Sequence, residues 1–262
     1  MVNAVVTAGG LLTHDDPLVE FLPENSPQNK VFLLLDGKPV LQWVLDALTA
    51  TDRVEQIIVV GRSSEEGWTS TKPLIFLPDQ GGLIENAIAG LSHSARISPE
   101  ESHSLIISGD IPLLESRMVN WVLDHGLPQD ADLLFHVVPD TLMEEQFPGS
   151  NRTYTPLKDA RVCGADVHLV AHRVIDSHFE LWKKLAAARK SPLKLASVFG
   201  PGMVLSILMK RYELKELADV LSRRLNLDAQ ADFSPFAAMG MDVDKPNQYQ
   251  LVSEELKKMR VV

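Results

Sequence analysis

Cysteine is almost missing: Cys163 is the only one in 262 residues. An internal disulfide and a zinc site built on several thiolates are therefore excluded, and a reducing compartment is the natural fit. Positive charge is also scarce. Lys and Arg number 25 against 35 Asp and Glu, giving a formal charge of −10. The broad basic face that a nucleic-acid backbone needs is absent, so no nucleic-acid partner is expected, although one small anion needs only a local positive pocket. The N-terminal stretch carries neither a basic region nor a long apolar run. Neither a secretory leader nor a membrane-spanning helix is expected, and the expected location is cytoplasmic. The eight histidines are scattered. Neither His93 with His103 nor His168 with His172 has a spacing that calls for zinc.

What is present describes a globular chain with an ample core: 45% of its residues are hydrophobic, enough for one large domain. Short β-rich runs alternate with helical patterns, which implies an α/β fold with a mostly parallel sheet covered by helices on both faces. Strands are expected at Asn3 to Thr7, Val31 to Leu35, Gln56 to Val60, Leu74 to Leu77, Ser104 to Ser108 and Asp132 to Val138. Thr153 to Leu157 and Ala165 to Ala171 also read as extended, and Ala237 to Val243 reads as a last strand. The helical pattern covers Val40 to Thr49, with Leu41, Val44, Leu45 and Leu48 on one face, and Gly82 to Ser92. It returns at Arg173 to Arg189, Gly202 to Met209 and Leu214 to Arg224, and a terminal helix starts at Pro246. The chain thus reads as one domain, 1–262, with a helical insertion or lid over 172–235.

The chemistry gathers where strands stop. The first strand runs straight into Ala8-Gly9-Gly10, and glycines after a strand let backbone amides converge on an anion; an ordinary tight turn is the bland alternative. A long acidic loop, Leu11 to Asn29, follows and ends at Lys30, and connections of that length are usually functional. Asp110 follows another strand in Gly109-Asp110-Ile111-Pro112, and the closing segment supplies Asp242 and Asp244, two apart on one face of the expected strand. Ligands of open parallel sheets bind outside the carboxyl ends of the strands, where the Gly9-Gly10 loop, Asp110 and the Asp242/Asp244 pair are expected to fall. Asp110 with Asp242 or Asp244 could share a divalent ion, and Mg2+ prefers one or two carboxylates together with substrate phosphates and waters. Taken singly, Asp110 could simply close a turn and Asp244 could cap the last helix.

As a set, Ala8-Gly9-Gly10, Lys30 with the Leu-Leu-Asp36-Gly37-Lys38-Pro39 segment, Ile107-Ser108-Gly109-Asp110-Ile111-Pro112-Leu113-Leu114 and Met241-Asp242-Val243-Asp244-Lys245-Pro246 resemble the nucleotidyltransferases. These include the molybdenum cofactor guanylyltransferases, the methylerythritol phosphate cytidylyltransferases and the sugar-1-phosphate nucleotidyltransferases. The resemblance implies a three-layer αβα sandwich with a Rossmann-like sheet of the nucleotide-diphospho-sugar transferase type. It also implies Mg2+-dependent transfer of a nucleoside monophosphate from a nucleoside triphosphate, CTP or GTP by preference, to a phosphorylated small-molecule acceptor, with release of pyrophosphate. By the same resemblance Ala8, Gly9, Gly10, Lys30, Gly81, Gly82, Asn86 and Gly109 would hold the nucleotide, with Asn86 offering donor and acceptor to the base edge. Lys30 and Asp110 would be catalytic, and Asp110, Asp244 and Asp242 would bind the metal. Two departures stand out: Asn29 precedes Lys30 in a loop without the relatives' Arg, and Asp166 stands where many relatives have Asn. Two other readings follow, a nucleotide-sugar-dependent glycosyltransferase, suggested by Asp242-Val243-Asp244, and a non-catalytic nucleotide-binding regulator, suggested by the altered loop.

Overall fold

All six residues of the first strand, β1 (Val2–Thr7), are buried, as befits a strand covered on both faces. The structure, a computed structural model, describes residues 1–178, 181, 182, 184 and 200–259. Its further strands are β2 (Leu34–Leu35), β3 (Lys38–Pro39), β4 (Val54–Val60), β5 (Leu74–Leu77), β6 (His103–Ser108), β7 (Leu133–Pro139), β8 (Thr155–Pro156), β9 (Arg161–Gly164), β10 (Val167–Ala171) and β11 (Ala229–Phe233). Its helices are α1 (Val40–Thr49), α2 (Leu83–Ile97), α3 (Ser116–Gly126), α4 (Asp140–Gln146), α5 (Arg173–Ser177), α6 (Pro201–Leu208), α7 (Leu214–Leu225) and α8 (Pro246–Met259).

Nine of these strands form one sheet in the order β5-β4-β1-β6-β10-β7-β9-β8, with β11 paired to β7. The pairs β5–β4, β4–β1, β1–β6 and β7–β11 are parallel, whereas β10 runs antiparallel to both β6 and β7. The alternation of strand side chains sorts the core into two layers. Val2, Ala4 and Val6 of β1 share one hydrophobic cluster with Leu41, Leu45, Val119 and Val252 of α1, α3 and α8. Val5, Ile58 and Val60 share the other with Leu91 of α2 and with Val174 and Ile175. The architecture is thus the expected α/β fold, with helices on both sides of a mostly parallel sheet. Among the described residues no helix is long and apolar enough to cross a membrane.

Several local expectations need correction. Val31 to Leu35 is a 3-10 turn, Lys30–Phe32, followed by the two-residue β2, which pairs only with β3. Ala237 to Val243 is not a strand: it holds a 3-10 turn, Ala237–Gly240. Its apolar residues Ala237, Ala238, Met239, Met241 and Val243 are buried, which explains the strand-like pattern. The segment wedges across strand tips, bonded through Asp166 N to Met239 O at 2.7 Å and Val243 N to Asp110 O at 3.0 Å, without forming a ladder. Range 172–235 contains α6 and α7 but also β11, which lies in the main sheet beside β7. Of the helix expected at Arg173 to Arg189, residues 179, 180, 183 and 185–189 lie outside the described residues.

Candidate functional site

Lys30 reaches its place through Asn29. The Asn29 carboxamide caps the Lys30–Phe32 turn by accepting from Val31 N at 2.9 Å, and its Nδ2 donates to the carbonyls of Ala8, at 3.1 Å, and Gly10. The long loop is therefore stitched at its far end to the glycines where it began. This bond set accounts for the Asn that precedes Lys30, since an Arg there could not accept from Val31. Gly10 has φ of +85°, with nothing within 4 Å of a Cβ placed on it, so its backbone angle is what requires glycine. Gly9 is constrained by space instead: a Cβ there would come within 2.4 Å of Asn86 Nδ2 and 2.7 Å of Asp79 Oδ1.

The three carboxylates meet as expected. One oxygen from each of Asp110, Asp242 and Asp244 lies within 4.8 Å of the others, although Asp242 and Asp244 follow an irregular segment and not a strand. Lys30 Nζ pairs with Asp110 and Asp244, and Arg152 pairs with Asp242. Ser108 Oγ donates to Asp110, and the Asp244 amide is held by Gln248 Oε1 at 2.9 Å. Asp110 is buried while Asp244 is exposed, so the cluster opens toward solvent on the Asp244 side. Burial pulls the Lys30 pKa down, but Asp110 and Asp244 outweigh it and hold the ammonium above its ordinary value. Lys30 therefore stays charged at neutral pH. The donor set suits a hard cation such as Mg2+: three carboxylates in reach of one another, whose charge is answered within the protein by two side-chain cations.

At the other end of the cleft the β5–α2 loop folds around Asp79, which sequence reasoning missed. Its carboxylate accepts from Gly10 N at 3.0 Å, Gly81 N at 2.9 Å and Asn86 Nδ2 at 2.9 Å. The Gly10 and Gly81 amides, then Asn86, lower its pKa. The Gly10 amide is thus aimed at an anionic oxygen. Asn86 is buried and its Oδ1 accepts from Gln80 N at 2.7 Å. Both ends of its amide take part in holding the loop, with one N–H and one acceptor position of the oxygen remaining beside the cavity.

Ala8, Gly9, Gly10, Lys30, Gly81, Gly82, Asn86, Asp110, Asp242 and Asp244 all line one cavity of about 520 Å³, together with Asp166. Gly109 is not in its wall. It sits beneath, donating to Thr7 O at 2.9 Å, where a Cβ would crowd that oxygen at 3.0 Å. Asp166 is the site's odd member: burial first, then the charge of Asp110, raises its pKa well above the carboxylate range against the pull of Arg152 and Lys30. Its Oδ2 is buried without a hydrogen-bond partner. Arg152 was also missed, because a lone Arg in Gly149 to Tyr154 has no spacing signal that ties it to Asp242.

Residues 25–198 match the model of the MobA-like NTP transferase domain. A solved hypothetical transferase of Thermus thermophilus is 30% identical, with a TM-score of 0.80 over 95% of this chain and 100% of that one. A CMP:2-keto-3-deoxy-manno-octonic acid synthetase solved with CTP shares the fold at 12% identity, with a TM-score of 0.61 over 98% of this chain and 99% of that one. The bifunctional protein GlmU of Thermoanaerobacter pseudethanolicus is 30% identical over 108 residues, which is 40% of this chain and 22% of GlmU. The chain thus spans about a fifth of the length of the curated relatives it matches.

Proposed function

Because the chain belongs to the family of MobA-like NTP transferase domains, we propose that its cleft transfers a nucleoside monophosphate from a nucleoside triphosphate to a phosphorylated small-molecule acceptor. CTP or GTP is the donor. A phosphate oxygen of the acceptor attacks the α-phosphorus, the bond from that phosphorus to the bridging oxygen breaks, and pyrophosphate leaves. No side chain need become covalently attached, so positioning and charge neutralisation carry the reaction. Asp110, Asp242 and Asp244 would hold Mg2+, which when bound supplies charge neutralisation and orientation of the phosphates.

The observation that carries this reading is the meeting of Asp110, Asp242 and Asp244 with Lys30 at the lip of the Gly9-Gly10 loop. Lys30, kept protonated, exchanges its carboxylate partners for phosphate oxygens and answers the charge that builds on the leaving pyrophosphate. The Gly10 amide, held on Asp79 at 3.0 Å, serves a phosphate oxygen once that carboxylate swings away, and Gly81 and Gly82 form the base-side wall with Asn86 behind them. The buried thiol of Cys163 suits the reducing cytoplasm to which we assign the protein.

The same contact favours a second reading, a nucleotide-binding regulator without turnover, because an internal carboxylate already occupies the Gly10 amide. Pyrophosphate release separates the two. CTP, GTP, ATP and UTP are incubated with Mg2+ and a panel of phosphomonoester acceptors. Release that depends on an acceptor supports transfer, whereas nucleotide binding with no release under any pairing supports the regulator. Hydrolysis of a nucleotide sugar instead would point to a glycosyltransferase.

A further inference from the structure

We propose that the acceptor carries its phosphate on an apolar body, which sits in a second cavity between the sheet and α2; this rests on the nucleotidyl-transfer reading above. The cavity measures about 350 Å³ and is walled by Ile84, Ala87, Ile88, Ile106, Phe135 and Trp182 among others. Thr7, Leu83, Ser108 and Asp166 line both it and the phosphate cleft, so the two spaces adjoin across these four residues. A molecule reaching from the carboxylate cluster past Ser108 enters an apolar chamber of the size that small ligands fill.

Hydrogen-bonding capacity decides the chemistry of the occupant. Thr7 Oγ1 donates to Ile107 O at 3.4 Å and Ser108 Oγ donates to Asp110, so both hydroxyl protons at the passage are committed. His168 is stacked on Phe135, with ring centroids 4.4 Å apart, and its Nδ1 accepts from His136 N at 3.3 Å. Asp166 Oδ2, buried and without a partner, and the Nε2–H of His168, whose Nδ1 is the accepting nitrogen, are the polar groups left there. Two such groups can anchor the polar head of a ligand. They cannot satisfy the several hydroxyls of a sugar, each of which would lose its hydrogen bonds to water on entering the chamber. An alkyl, isoprenoid or aromatic body has no such cost and buries apolar surface, two methylenes already giving about a tenfold gain in affinity. Phe135 and Leu83 are large apolar side chains left exposed, in keeping with a chamber that awaits an apolar occupant.

Calorimetry with n-hexyl phosphate and glucose 1-phosphate tests this, each titrated with and without the α,β-methylene analogue of CTP or GTP and Mg2+. Hexyl phosphate is expected to bind at least about tenfold more tightly than glucose 1-phosphate. Ala87→Phe, which fills the chamber, should weaken hexyl phosphate about tenfold while leaving the affinity for the triphosphate analogue within about twofold. Phe135→Ser, at an exposed position that tolerates change, should weaken it in the same direction. Equal affinities for the two phosphates, or a preference untouched by either substitution, would overturn the apolar acceptor while triphosphate binding stands. Self-association of the wild-type protein that Ala87→Phe abolishes, without hexyl phosphate binding, would overturn it in favour of a second copy on this face. Failure of every triphosphate analogue to bind would instead remove the nucleotidyl-transfer reading, and the acceptor with it.

Discussion

At one end of the cleft, side chains from distant parts of the chain are brought together by charge: Asp110 follows β6, Asp242 and Asp244 precede α8, and Lys30 and Arg152 reach across to them. At the other end the groups are backbone amides of two neighbouring loops, with Asp79 bound between Gly10 and Gly81. The charged end concentrates opposite charges in a partly buried place, where electrostatic interactions are strong and few substitutes exist. The amide end is a shape, kept by hydrogen bonds within the loops and by glycine backbone angles. Substitutions should therefore separate the ends: changes at the charged end weaken turnover and ligand affinity, whereas changes at the amide end free an amide for the ligand or loosen the loop.

The largest effect is expected from Asp110→Asn, which should cut acceptor-dependent pyrophosphate release by about 100-fold or more, the scale for losing one preorganised charge-stabilising group. Far-ultraviolet circular dichroism should meanwhile remain that of the wild type. Retained turnover would end the proposed role of Asp110. Lys30→Ala should weaken triphosphate binding by roughly 10- to 100-fold, as the loss of a charge-assisted hydrogen bond does. An unchanged dissociation constant by calorimetry would remove Lys30 from the phosphate site.

At the amide end, Asp79→Asn should tighten triphosphate binding by about a few-fold, because a neutral acceptor holds the Gly10 amide less firmly and one negative charge leaves the cleft. Weaker binding in the same titration would show that Asp79 assists the ligand and does not compete with it. Gly10→Ala should cost about 1 kcal/mol in urea denaturation, since the added Cβ meets open space and only the left-handed backbone is strained. No loss of stability would mean that the loop relaxes freely.

In the wall of the apolar chamber, His168 supplies a pH signature. Burial, and then the neighbouring His136, lowers its pKa from the ordinary 6.5 to about 3. Below pH 6.5 the unfolded chain takes up a proton at His168 that the folded protein refuses until about pH 3. Stability from this group is therefore present at neutral pH and is lost as the pH falls through that window. Denaturation midpoints at pH 7 and pH 5 should show a loss on acidification that is smaller in His168→Gln. An equal loss in both proteins would place the acid sensitivity elsewhere.

Much of this molecule was legible in its sequence, and the pattern of success has a physical basis. Buried parallel strands announce themselves as continuous apolar runs: Leu74 to Leu77 and the helix Val40 to Thr49 have their expected bounds, and β1, β4 and β6 differ from expectation by a residue or two. The approach of Asp110 to Asp242 and Asp244 was expected from strand ends, but the strand drawn beneath Asp242 does not exist, and the bond from Val243 N to Asp110 O at 3.0 Å is what brings the segment there. Burial without pairing misled at Ala237 to Val243, where Met239, Met241 and Val243 face the core from an irregular segment. Strand β11 was hidden because Ala229–Phe233 is short and follows helices, and its pairing with β7 is a tertiary event. Asp79, Arg152 and the use of the Asn86 amide were illegible for a related reason. Their roles consist of contacts across loops, for which no spacing rule exists.

The most direct test is a thermal-shift screen of the wild-type protein and Asp110→Asn against CTP, GTP, ATP and UTP, each with and without Mg2+. A rise in Tm with CTP or GTP that requires Mg2+ and disappears in Asp110→Asn is the expected result. No shift with any triphosphate, or an equal shift without Mg2+ and in the variant, would contradict the proposal that the three carboxylates and the glycine loop form one nucleotide site.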